Sequence, residues 1–173
     1  MNQMKKLLII GFVWPEPNSS AAGGRMMQLI SIFKQEGYEI TFASPALDSD
    51  FMVDLEKFGV QKKAVELNSS SFDDFIIELD PAVVLFDRFM IEEQFGWRVA
   101  EYCPKAIRLL DTEDLHCLRT ARQKAFKENR VFFLLYLWSE EVAKREIASI
   151  LRCDLSFIIS EFEMKILNDV FKI

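Results

Sequence analysis

The sequence predicts a doubly wound α/β fold, one parallel sheet with helices on both faces. Apolar runs of strand length alternate with helical stripes along all 173 residues. Two of those runs, Leu7-Leu8-Ile9-Ile10 and Ala82-Val83-Val84-Leu85-Phe86, are continuously apolar, as in strands covered on both faces. The right-handed crossover rule then leaves few arrangements other than a parallel sheet.

The first strand is the run from Leu7 to Phe12, preceded by two lysines. It ends in the segment Gly11–Pro17, because Pro15 and Pro17 cannot continue a ladder. A helix is expected to resume after Gly23 and Gly24, with Met26, Leu29, Ile30 and Phe33 as its buried stripe. Gly37 closes that helix, and residues 38–43 alternate as a second strand before Pro45. Phe51, Leu55 and Phe58 predict a short helix stopped by Gly59, and a third strand is expected near residues 63–67. The serines at 69–71 suit the cap of a helix carrying Phe72, Phe75, Ile76 and Leu79, broken at Asp80-Pro81. Ala82–Phe86 is the fourth strand. Ile91, Phe95, Val99 and Tyr102 mark the following helix, with Glu92, Glu93 and Arg98 on its other faces and Pro104 at its end.

Residues 106–110 form a fifth strand. A helical pattern from Leu115 through Leu118 and Ala125 is expected to continue, with a break near Asn129, through VFFLLYLWSEEVAKREIASI. Ala143, Ile147, Ile150 and Leu151 would be the buried face of its second half. Residues 155–159 give a sixth strand, and Ser160-Glu161 opens a last helix with Ile166, Leu167, Val170 and Phe171.

Composition narrows the function classes. Half the residues are hydrophobic and 28% are charged, as in a globular domain. A formal charge of −6 argues against a general nucleic-acid binder. The first residues show no cleavage site after their apolar run, so no signal peptide is expected. Cys103, Cys117 and Cys153 are odd in number and widely spaced, with His116 the only histidine. They signal neither a disulfide framework nor a zinc site, and suit a reducing cytosol. No cofactor or metal is expected. The run VFFLLYLW is too short to span a bilayer. As core it would pack on this domain or a partner domain; as surface it would meet lipid or another subunit. The acidic residues that follow it favour packing.

No G-x-G-x-x-G follows the first strand, and no phosphate-loop or G-x-S-x-G motif occurs. What remains are residues at the carboxyl ends of strands, where open parallel sheets place ligands. Gly23 and Gly24 beside a helix N-terminus suit either an anion or a plain loop needing unusual dihedrals. Asp87 and Arg88 emerge after the fourth strand, as crevice contacts or as a local pair. After the fifth come Asp111, Thr112, Glu113, Asp114, His116 and Arg119. A carboxylate beside an imidazole can orient it as a base, which makes His116 and Asp114 the candidate catalytic pair. The same acids would also complement a helix dipole. Arg119 and Arg122 could take a phosphate or simply be solvated.

Several stretches carry a resemblance: the loop ending Gly23-Gly24-Arg25, the helix closed by EGYEITFAS, the segment DTEDLHCLR, and REIASILRCDLSFIISEFEMKIL at the end. Together they are similar to the N-terminal half of GT-B glycosyltransferases, in the group 1 or family 4-like set that includes retaining hexosyltransferases. The resemblance spans nearly the whole chain and implies a single Rossmann-like domain over residues 1–173. It implies an enzyme that moves a sugar from a nucleotide-sugar donor to a glycan or lipid acceptor. Gly23, Gly24, Arg25, Asp87 and Arg119 would bind ligand, and His116 would lie near the reacting sugar. Most of the donor site belongs to a C-terminal nucleotide-sugar-binding domain, the expected partner, and nothing in this sequence corresponds to it. The chain alone is therefore expected to be inactive, cytoplasmic, and able to meet the inner face of a membrane. A sugar-nucleotide epimerase half and a stand-alone binding module are the competing readings.

Overall fold

The computed structural model describes residues 5–173. Six parallel strands form one sheet: β1 (Lys5–Ile10), β2 (Tyr38–Ser44), β3 (Gln61–Ala64), β4 (Val83–Asp87), β5 (Ile107–Asp111) and β6 (Leu155–Phe157). Their spatial order is β3-β2-β1-β4-β5-β6. This is a Rossmann-like arrangement with its topological switch point between β1 and β4, where crossovers leave in opposite directions and open a crevice. The helices are α1 (Ala21–Gln35), α2 (Ser71–Leu79), α3 (Phe89–Tyr102), α4 (His116–Lys127), α5 (Glu141–Arg152) and α6 (Glu161–Ile166).

The continuous apolar strands are divided residue by residue between two cores. Leu8, Ile10, Val84 and Phe86 face α2 and α3, packing on Phe72, Ile76, Phe95 and Val99. Leu7, Ile9, Val83 and Leu85 face the other layer, with Met26 and Ile30 of α1 and the ring of Trp14. Each fully buried side chain of this size contributes roughly 1.5–3 kcal/mol. A third cluster joins α4, α5 and α6 through Leu115, Leu118, Leu137, Ala143 and Ile166. No helix among the described residues is long and apolar enough to cross a membrane.

Local details depart from the sequence reading. The first helix begins at Ala21, ahead of the glycines, because Ser20 caps it by accepting from the Gly23 N–H at 3.0 Å. Phe12 lies beyond β1 and is partly exposed. β3 sits two residues earlier than expected, and the Phe51 stripe reduces to a 3-10 turn, Leu55–Phe58, with only Leu55 buried. The long helix after Leu115 is interrupted. α4 stops at Lys127, and the apolar run forms an irregular loop and a 3-10 turn, Leu134–Ser139, from which only Leu137 is buried. On α5, Leu151 is exposed while Glu146 and Ser149 are buried, so its inward face is partly polar. Glu92 is also inside, held by Arg152 at 2.9 Å, and Tyr102 is half-exposed.

Candidate functional site

The carboxyl edge of the sheet gathers the loops after β1, β4 and β5. Strand register alone makes Asp87 and Asp111 neighbours, since they are paired last residues of adjacent parallel strands. Both carboxylates are buried, and their environments differ sharply. Asp111 is neutralised by Arg25, which reaches across from the second turn of α1 with Nε at 3.0 and 3.1 Å and Nη2 at 2.8 Å. The bridge is a bidentate guanidinium–carboxylate contact. It also raises the Arg25 pKa.

Asp87 has no such clamp. Its Oδ2 accepts from the Phe12 N–H at 3.2 Å, while Oδ1 is buried without a hydrogen-bond partner. The Arg88 guanidinium stands 3.6 Å away but is committed to Glu113, at 2.6 Å. Burial pushes the Asp87 carboxyl up to about 7, with Glu113 and Asp111 adding to the rise and Arg88 and the Phe12 N–H opposing it. A carboxyl that titrates near neutrality in a crevice is a functional candidate on physical grounds.

The backbone beneath this pair is strained. Arg88 takes φ 75° and ψ 154°, a region nearly confined to glycine, and Glu113 takes φ 58°. Such conformations cost roughly 1–3 kcal/mol each and persist where the surroundings hold them. Here the Arg88 N–H donates to the Asp111 carbonyl at 2.8 Å, and the two strained residues are tied by their salt bridge.

Asp87, Arg88 and Glu113 line a narrow cleft with Val13, Trp14, Glu16, Gly23 and Met26. Its volume is about 20 Å³, the space of one water. Larger hollows lie elsewhere: about 510 Å³ at the amino edge, around Lys5, Asp80 and Lys105, and about 580 Å³ between α1 and Gly59. They are open surface depressions without an unpartnered buried polar atom, so the small cleft carries the chemical argument.

The two glycines serve different ends. A Cβ on Gly23 would lie 2.4 Å from the Glu16 backbone, so glycine is required for the loop to close over the helix. A Cβ on Gly24 would meet nothing within 4 Å. Gly23→Ala is expected to destabilise the fold by roughly 1–3 kcal/mol through overpacking. Gly24→Ala should stabilise it by about 0.5–1 kcal/mol through helix propensity. Thermal melts of the two variants check this, and equal losses would refute it.

Of the residues singled out from the sequence, Gly23 and Asp87 line the cleft, while Gly24, Arg25, Asp114, His116 and Arg119 do not. Asp114 and Arg119 pair with each other at 3.2 Å. His116 is largely enclosed: its Nδ1 lies 3.2 Å from the Asp114 carbonyl and 3.5 Å from Glu146, and its ring meets the Phe89 edge. Arg88, Asp111 and Glu113, placed by the sequence at the same strand ends, come together here: Arg88 and Glu113 line the cleft, and Asp111 lies beside Asp87 because VVLFD and IRLLD both end a buried strand in aspartate. Glu146 gave no signal. Its carboxylate accepts from the backbone N–H groups of His116 and Cys117, both at 2.9 Å, and Glu163 accepts from Leu115 at 3.0 Å. The N-terminus of α4 is thus already filled by the protein's own anions.

Burial pushes the thiols of Cys117 and Cys153 up, the latter to about 12, and Glu146 and Glu92 respectively add to the rise. Neither is a thiolate nucleophile at neutral pH. Among the described residues, no group of three or more His, Cys, Asp and Glu side chains is arranged to hold a metal ion. Compared with known proteins, the chain matches no family model and no curated protein.

Proposed function

We propose that this chain is the acceptor-side half of a glycosyltransferase, binding a hydroxyl-bearing glycan or lipid-linked acceptor at the carboxyl edge of its sheet. The observation that carries the reading is the unpartnered Oδ1 of Asp87, in the cleft at the β1/β4 switch point. A buried acceptor atom costs free energy unless something donates to it, and a sugar hydroxyl is a donor of the right kind. Asp87 near neutrality can also take a proton from that hydroxyl as it attacks. The role of His116 in this reading is to shape the start of α4, since its ring is held among Asp114, Glu146 and Phe89. The sugar nucleotide would be held by a second domain, so that catalysis arises where the two meet.

Saturation-transfer NMR with a panel of alkyl glycosides and nucleotide sugars tests this. Glycosides should bind, and Asp87→Asn should weaken them at least about tenfold, because with the amide oxygen on the Phe12 N–H the amide nitrogen takes the place of Oδ1, and it donates where the ligand hydroxyl needs an acceptor. The 173-residue chain by itself should turn over no nucleotide sugar. Epimerisation of a nucleotide sugar by this chain alone, or glycoside binding indifferent to Asp87, would overturn the reading.

A further inference from the structure

The cleft at the β1/β4 switch point holds more negative than positive charge, and its ion pairs do not cancel the difference. Its lining carries the carboxyl groups of Glu16, Asp87 and Glu113 against one cation, Arg88. Arg88 is taken by Glu113 at 2.6 Å and stands 3.6 Å from Asp87. Glu16 has the neutral Ser49 hydroxyl, which donates to its Oε1. Neighbouring cations are committed elsewhere: Arg25 to Asp111 at 2.8 Å, and Lys62, over the Trp14 ring, to Asp48 at 2.7 Å. Once the pairs are set aside, Glu16 and Asp87 face one small space without a cation of their own among the described residues.

Glu16 is held in place rather than trailing in solvent. Its carbonyl accepts from the Ser19 and Ser20 N–H groups at 3.0 and 3.1 Å, and the adjacent Pro15 carbonyl accepts from Val53 at 2.9 Å. Its backbone packs so closely on α1 that only glycine fits at residue 23. The residue is half-buried, and its Oε2 has no hydrogen-bond partner among the described residues. Deeper in the same cleft is the buried, unpartnered Oδ1 of Asp87. Burial, Glu113 and Asp111 already push the Asp87 carboxyl upward, so a further anion is disfavoured here and a cation is favoured.

We propose that the acceptor is an amino sugar, its hydroxyl donating to Asp87 Oδ1 and its adjacent ammonium to Oε2 of Glu16. The inference rests on the acceptor reading and narrows it to glycans with a positive charge beside the reacting hydroxyl. The cleft, about 20 Å³, takes the hydroxyl alone, and the ammonium stays at the rim where Glu16 is partly exposed. A charge-assisted bond there is roughly twice as strong as a neutral one. A carboxylate or phosphate in the same place would meet Glu16 as a like charge. The ammonium also favours the ionised form of Asp87, the form able to take the hydroxyl proton, so the ligand readies its own base.

Saturation-transfer NMR titrations of the 173-residue chain at pH 7 test this with methyl glucosaminide, methyl glucoside, methyl N-acetylglucosaminide and methyl glucuronide. The glucosaminide should bind at least about tenfold more tightly than the glucoside, N-acetylation should remove the gain, and the glucuronide should bind weakest. High salt should shrink the gain. Glu16→Gln should cut the ratio of glucosaminide to glucoside affinity about fivefold. Its amide oxygen still accepts from Ser49, so an unchanged melting temperature separates lost recognition from lost folding. Asp87→Asn should weaken both glycosides together. Equal affinities for the two glycosides, or a ratio indifferent to Glu16→Gln, would overturn the inference while leaving the acceptor reading in place. Binding of neither glycoside, or binding indifferent to Asp87, would remove the acceptor reading and this inference with it.

Discussion

Asp87→Asn is expected to be more stable than the wild-type chain by roughly 2–4 kcal/mol at pH 8 and nearly equal to it at pH 4. The unfolded carboxyl releases its proton near 3.8, whereas the folded one holds it to about 7. Between those values the folded state binds more protons, so wild-type stability falls as pH rises and levels off above the folded value. The full cost of ionising a buried, half-satisfied carboxyl over that interval is roughly 4 kcal/mol. Asparagine keeps an acceptor for the Phe12 N–H and cannot ionise, and Arg88 retains Glu113. Urea unfolding at several pH values measures the difference. A gap that does not grow between pH 4 and pH 8 would show that Asp87 is not held up by burial. A variant that is more stable yet loses acceptor binding is what a site residue maintained at a cost should give.

Glu146→Ala is the second large effect, a loss of roughly 3–5 kcal/mol. The carboxylate is buried and accepts from two helix-start N–H groups at once. Alanine leaves both without partners and removes the negative charge that the helix dipole favours there. Glu146→Gln should cost less, roughly 1–3 kcal/mol, since the amide oxygen accepts from one N–H while its nitrogen faces the other. Hydrogen exchange locates the damage: the His116 and Cys117 amides should lose protection before those of β1 and β4. Unchanged protection in the alanine variant would mean that the α4 start is held by something else.

The architecture was legible in the sequence because it follows from local pattern. Continuous apolar runs such as Leu7 to Ile10 and Val83 to Phe86 belong only to strands covered on both faces, and the helical stripes between them force parallel crossovers. Where β4 and β5 end was legible for the same reason, and with it the meeting of Asp87 and Asp111 at one edge. What distinguishes those two aspartates was not legible. One is clamped by Arg25, 86 residues away in sequence, and the other is left with a bare oxygen; only the packing of α1 on the sheet decides which. The polar inward face of α5 was hidden likewise, because a periodicity rule assigns glutamate to solvent, and Glu146 goes inside to meet amides that another helix leaves unpaired. The run from Val131 to Trp138 has the composition of a core, yet it forms the connection between α4 and α5 with only Leu137 buried. Hydrophobicity is a property of the residues and is written in the sequence; which apolar surface finds a partner depends on where the chain carries it, and that is settled only in three dimensions.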